Sequence, residues 1–173
     1  MINPKTKAVK MKFYTIIFLG ILILNFTGCT EDLCEGLNCE NGVCEPIVGK
    51  CICIDGYQTD SSGICTVQWS AKFIGIYNAF DSCTGTNPGS QSYQNSLTAL
   101  SSKQLSIDSM KHLNSPILAR LYNSTSFSIE TVFSPGTIIT GDGIYTDSNI
   151  VINYIVNDTI NNLIDTCQTL LTK

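Results

Sequence analysis

From Trp69 onward the chain alternates apolar and polar residues in short bursts, the period-two pattern of strands with one buried face. Residues 72–80 (KFIGIYNAF) make the first burst. In 126–134 the apolar face is Phe127, Ile129, Thr131 and Phe133, and in 149–157 it is Ile150, Ile152, Tyr154 and Val156. Further strands are expected over 91–100, 104–108, 116–122, 137–140 and 163–171. Turn chemistry separates them at Asn87-Pro88-Gly89, Asn114-Ser115-Pro116, Ser134-Pro135-Gly136 and Gly141-Asp142-Gly143. About eight short strands so spaced predict an all-β fold, with an antiparallel barrel or sandwich over 66–173.

The opening of the chain has a different pattern. Basic residues up to Lys12 precede a mostly apolar run, Phe13 to Leu24, too short for the roughly 20 residues that cross a bilayer as a helix. A positive start, a short apolar centre and small residues at its end make a secretory signal. The run closes on Phe26-Thr27-Gly28-Cys29, which resembles the lipobox of bacterial lipoproteins. That resemblance implies cleavage after residue 28, acyl chains on Cys29, and a membrane as partner through those chains. Phe26 stands where the family usually has Leu. An ordinary signal peptide with an incidental cysteine, or a transmembrane anchor, are the competing readings. Met1 and Met11 are both acceptable starts, because Lys12 would still supply a positive charge. Thr30-Glu31-Asp32 resembles the surface-export signals of some outer-membrane lipoproteins; two solvated acids on a tether (29–33) is the plainer alternative.

Charge sharpens this division. Residues 1–28 hold four lysines and no acid, so removing them leaves six basic against fourteen acidic residues, a net charge of −8. Such a protein repels phosphate backbones, and nucleic acid is not an expected partner. With 43% hydrophobic and only 14% charged residues, the surface must be covered largely by Ser, Thr, Asn and Gln.

The chain has nine cysteines. With Cys29 given to lipid, eight remain, an even number that implies disulfides in an exported chain. Six crowd into 34–65, a stretch too short to bury a stabilising core without cross-links. A metal site is disfavoured: Cys51-Ile52-Cys53 lacks zinc-knuckle spacing and no histidine lies near. Six cysteines alone leave about 15 pairings open. The pattern Cys34-x4-Cys39-x-x-Gly42-x-Cys44-x6-Cys51-x-Cys53-x-x-Gly56-Tyr57-x7-Cys65 resembles an EGF-like domain. That family implies Cys34–Cys44, Cys39–Cys51 and Cys53–Cys65. Its final loop is longer and more polar than usual and lacks the Gly-x-x-Cys close. Calcium-binding members carry acids and amides around the first cysteine; here Thr30, Asp32 and Leu33 occupy those positions, and Pro46 replaces the later Asn or Asp. Too few oxygens are on offer for calcium, and no metal is expected.

Cys83 and Cys167 are left over. One follows the first expected strand and the other lies in the last, so a bridge would tie the two ends of the domain. It would enclose 85 residues, worth about 4–5 kcal/mol in the chain-entropy picture. Two unpaired buried thiols are the alternative. Trp69-x5-Gly75-x-Tyr77, the Thr140-Gly141-Asp142-Gly143 turn and Asp165-Thr166-Cys167 resemble the calycin-like domains of surface lipoproteins. Calycins often hold a small apolar molecule in the barrel mouth, so the resemblance implies such a ligand without naming it.

Catalysis finds little support. His112 is the single histidine, with Asp108 four residues before it, yet no Gly-x-Ser-x-Gly elbow accompanies them. Glu130 and Asp142 form a pair of the kind any acidic chain offers. No catalytic residue and no cofactor is expected, and the chain carries no phosphate loop or dinucleotide fingerprint. Asp108-Ser109-Met110 and Asp158-Thr159-Ile160 resemble a bacterial O-glycosylation sequon, a three-residue match that chance also produces. The leading expectation is a non-catalytic binding or display module: signal peptide 1–28, tether 29–33, EGF-like spacer 34–65 and β-domain 66–173, anchored at an outer-membrane surface. A structural component of an envelope assembly comes second, with an unknown protein as partner. A hydrolase comes third.

Overall fold

The computed structural model describes residues 32–108, 110, 115–134 (backbone only from 130) and 136–173. The expected signal peptide (1–28), Cys29 and His112 lie outside them. Among the described residues all regular structure is β apart from one 3-10 turn. Two short hairpins come first: β1 (Gly42–Glu45) with β2 (Lys50–Cys53), then β3 (Tyr57–Gln58) with β4 (Val67–Gln68). The disulfides Cys34–Cys44, Cys39–Cys51 and Cys53–Cys65 hold this unit together. Between residues 34 and 65 only Cys39, Gly56 and Cys65 are buried, so it has no apolar core. Its polar final loop is closed by Asp60. That carboxylate accepts hydrogen bonds from the Ser62 and Ile64 amides and from the Ser62 and Thr66 hydroxyls.

After the 3-10 turn Trp69–Lys72, eight strands follow: β5 (Gly75–Gly85), β6 (Gly89–Ser101), β7 (Gln104–Ile107), β8 (Ile117–Leu121), β9 (Ser126–Ser134), β10 (Thr137–Thr146), β11 (Asn149–Asp158) and β12 (Leu163–Thr172). Each pairs antiparallel with its chain neighbours, and β12 pairs with β5 to close the barrel. Closure leaves the barrel without a free sheet edge. Leu97, Leu105, Ile107, Ile117, Leu121, Phe127, Ile139, Ile150, Ile152 and Leu171 are fully buried inside. An eight-stranded barrel is just wide enough to be filled in this way.

One end is sealed. The 3-10 turn brings Phe73 beneath the strands, edge-on to Phe127 (5.7 Å) and Tyr145 (5.5 Å), and Tyr77 donates a hydrogen bond to the Phe73 carbonyl. The first barrel strand therefore begins at Gly75 rather than at Lys72, because 69–73 serve as a plug. It also runs on to Gly85, so Cys83 lies within it rather than after it.

The Gly141-Asp142-Gly143 segment is not a turn. It lies in the middle of β10, paired with Ile152–Tyr154 on one side and Phe127–Ile129 on the other. A side chain at Gly143 would run into the Phe127 ring, and one at Gly141 into Asn153 and Tyr154. These glycines admit close neighbours instead of reversing the chain. The reversal falls at Asp147 and Ser148, both at positive φ (44° and 80°), as a two-residue hairpin demands. The β9–β10 register shifts between Ile139 and Gly141, so strict alternation in 126–134 does not continue past the shift.

The disulfide-rich unit meets the sealed end. The Trp69 indole donates to the Tyr57 carbonyl (2.9 Å), and the Ser70 amide donates to the carbonyl of Ser102 in the β6–β7 turn (3.2 Å). Lys103 in that turn reaches Asp55 (3.1 Å).

Candidate functional site

A cup lies at the other end of the barrel, among the described residues. The last residues of β5 and β11 and the first of β6, β10 and β12 surround its volume of about 720 Å³. Strand parity decides which side chains enter it. On β5, Tyr77, Ala79, Asp81 and Cys83 point inward, with exposed residues between them. On β12 the inward set is Asp165, Cys167, Thr169 and Leu171. Continuing those inner rows toward the rim brings Gln91, Thr137, Val156 and Leu163 to the wall, with Asn87 and Pro88 on the connecting loop.

The floor is a disulfide. Cys83 and Cys167 face each other in register with Cα atoms 4.1 Å apart, and the bond joins the first barrel strand to the last. One layer further in lies the carboxylate of Asp81, fully buried. A buried charge is tolerated only where donors replace its water. Asp81 accepts hydrogen bonds from the hydroxyls of Tyr93 (2.9 Å), Tyr154 (3.1 Å) and Thr169. Burial, and then the nearby Asp81 charge, push the Tyr154 phenol well above its ordinary range, so it remains a donor. Below this layer the apolar core fills the barrel. The cup is therefore a shallow chamber over a solid floor, not a through-channel.

Two rim acids organise the loops. Asp165 accepts from the Asn87 amide (2.8 Å) and ties the β5–β6 loop to β12. Asp158 accepts from the amides of Ile160 and Asn161 and from the Asn161 side chain, which hold its carboxyl below the usual range. The volume is in the range of small-molecule sites, and the lining mixes polar residues (Thr86, Asn87, Ser90, Gln91, Thr137) and the two rim acids with Pro88, Val156, Leu163 and the disulfide.

Of the residues weighed for catalysis, Asp108 and Asp142 do not line the cup. Asp142 is exposed in mid-β10, outside the cup. His112, Ser109 and the Glu130 side chain lie outside the described residues. Thr159, in the sequon-like triplet, donates its hydroxyl to the Gly136 carbonyl (3.0 Å). Asp32 accepts from the Cys34 amide and caps a turn. Among the described residues no three His, Cys, Asp or Glu cluster as a metal site would. The group that sequence reasoning missed is Asp81 with Tyr93, Tyr154 and Thr169. Parity could have found Asp81, since it falls on the face of Tyr77 and Cys83.

No protein-family model matches the chain, and no curated protein matches it. Among solved structures, a redesigned β-barrel has 9% identity and a TM-score of 0.43, with 60% of this chain and 93% of that one covered. A Bacteroides ovatus protein of unknown function has 14% identity and a TM-score of 0.42, covering 57% of this chain and 41% of its own. A Bacteroides fragilis protein named for the outer membrane has 16% identity and a TM-score of 0.41, covering 64% and 55%. At these scores none bears on what the barrel does.

Proposed function

We propose that the chain is an exported lipoprotein, anchored through acyl chains on Cys29 at an outer-membrane surface. Its EGF-like unit, 34–65, acts as a rigid spacer. Its calycin-like barrel is a non-catalytic module that holds a small, largely apolar ligand in the cup. One observation carries this reading: the cup opens at the end of the barrel opposite the disulfide-rich unit, so a chain tethered by its N-terminus presents its mouth away from the anchor. The up-and-down order of eight strands is that of lipocalin-type carriers. Ligand at a hundredfold excess over its Kd stabilises the folded state by about 2.7 kcal/mol. A thermal-shift screen of small apolar compounds against the protein and its Leu163→Trp variant tests the cup. A compound that raises the melting temperature of the first and not of the second supports the reading; equal responses refute it.

A second reading, a structural role in an envelope assembly, has its own observation. On the outer face Phe80, Leu170, Val151 and Ile144 lie side by side in register across β5, β12, β11 and β10. Phe80 and Ile144 are about half exposed. If that row is the working surface, Phe80→Asp would release a co-purifying protein, while Leu163→Trp would not.

A further inference from the structure

The β1–β2 turn carries an apolar tip that the fold does not use. Ile47 is 83% exposed, Val48 49% and Leu33 52%, and Pro46 beside them is exposed as well. They are neighbours in space: Leu33 lies against Gly49, where an added Cβ would come within 2.9 Å of the Leu33 Cβ. The turn that presents them is fixed by the Val48 and Gly49 amides, which both donate to the Glu45 carbonyl. Disulfides rather than aliphatic packing hold this unit, so these side chains contribute nothing to its interior. Contiguous aliphatic residues kept in water at no structural benefit mark a contact surface.

The chain itself says which surface is within reach. Leu33 is four residues from Cys29, so a fully extended tether spans at most about 14 Å. We infer that the Leu33–Pro46–Ile47–Val48 tip rests in the interface of the bilayer that receives the acyl chains. This inference rests on the anchoring proposed above. Acyl chains alone fix position but leave the protein free to tumble on its leash. A second, shallow apolar contact a short distance away fixes its tilt. The tip therefore sets orientation rather than retention. Glu45 and Lys50, paired across the hairpin just behind the tip, are the charges nearest in sequence, together with Glu31, Asp32 and Glu35. One basic residue among these acids favours a neutral lipid surface over an anionic one.

The test uses the full acylated protein bound to phosphatidylethanolamine vesicles containing brominated phosphatidylcholine. Ile47→Trp and Val48→Trp place a reporter at the tip. Ile160→Trp places one at an exposed isoleucine (69%) at the mouth end. Trp69, the single native tryptophan, supplies the background to subtract. The expected result is blue-shifted emission and loss of intensity to the brominated lipid at 47 and 48, with neither at 160. Ile47→Asn should leave co-sedimentation with vesicles unchanged. Water-like, unquenched emission at 47 and 48 in protein that still sediments with vesicles overturns the tip contact and spares the anchor. Equal quenching at 160 overturns it too, because the tip would then not be special. A mass spectrum of Cys29 without acyl chains would remove the anchor, and this inference with it.

Discussion

The two halves of this molecule solve the same stability problem by opposite means. The 34–65 unit has three disulfides and no apolar core, whereas the barrel has one disulfide and a continuous core from Phe73 to Leu171. In the small unit aliphatic side chains are free to point outward, and Val43, Ile47, Ile52 and Ile54 do so. In the barrel the inward aliphatics are consumed by packing, and the mouth is left to short polar residues. Covalent cross-links thus release a unit's apolar residues for contact with something else. A filled core leaves the barrel's cavity at the end it does not fill.

The contrast predicts separable failures. Replacing the six cysteines of 34–65 with alanine should unfold that unit outright, read as loss of protease resistance there, while the barrel's thermal transition remains. The reverse lesion is Phe73→Ala. Loss of the plug should cost the barrel about 3–5 kcal/mol in denaturant titration, with the small unit's disulfides still formed. Cys83→Ala with Cys167→Ala is the intermediate case. It removes the staple between first and last strands and should cost about 2–4 kcal/mol, less than the full chain-entropy value, as bridges commonly deliver. If the barrel proved as dependent on this bridge as the small unit is on its three, the comparison would fail.

The smallest effect is a pH dependence read in the small unit. Hydrogen bonds from the Ser62 side chain, then Thr66 and the Ile64 amide, hold the Asp60 carboxyl well below its ordinary 3.8. Because the folded value is the lower one, the stabilisation is complete above the ordinary carboxylate range. It is lost as pH falls from there through the depressed value. The Ser62 and Ile64 amide resonances should therefore hold steady at mildly acidic pH and move only below about 3.8. Asp60→Ala should loosen the 60–66 loop at neutral pH.

Much of this was legible in the sequence, for physical reasons that differ by element. The eight strands showed because one face of each is buried, and Ile150, Ile152 and Tyr154 are the inward residues their alternation implied. Glycine misled. Gly141 and Gly143 look like a turn, and only the Phe127 ring and Tyr154, distant in sequence, explain why they are strand residues. The plug was hidden for a related reason: Phe73 continues the alternation of 72–80, and nothing local reveals that it lies under the barrel. Asp81 carried a readable parity but no readable partners, since Tyr93, Tyr154 and Thr169 come from three other strands. The cup could not be foreseen, because alternation looks the same around a void and around a filled core.

The central claim is that the mouth holds a ligand. A native mass spectrum of the purified protein, repeated after denaturation, tests it most directly. The expected result is an added mass that disappears on denaturing and is absent from the Leu163→Trp variant. The bare protein mass in both, across preparations purified from membranes without extraction of small apolar molecules, would contradict it and leave the outer row at Phe80 as the working surface.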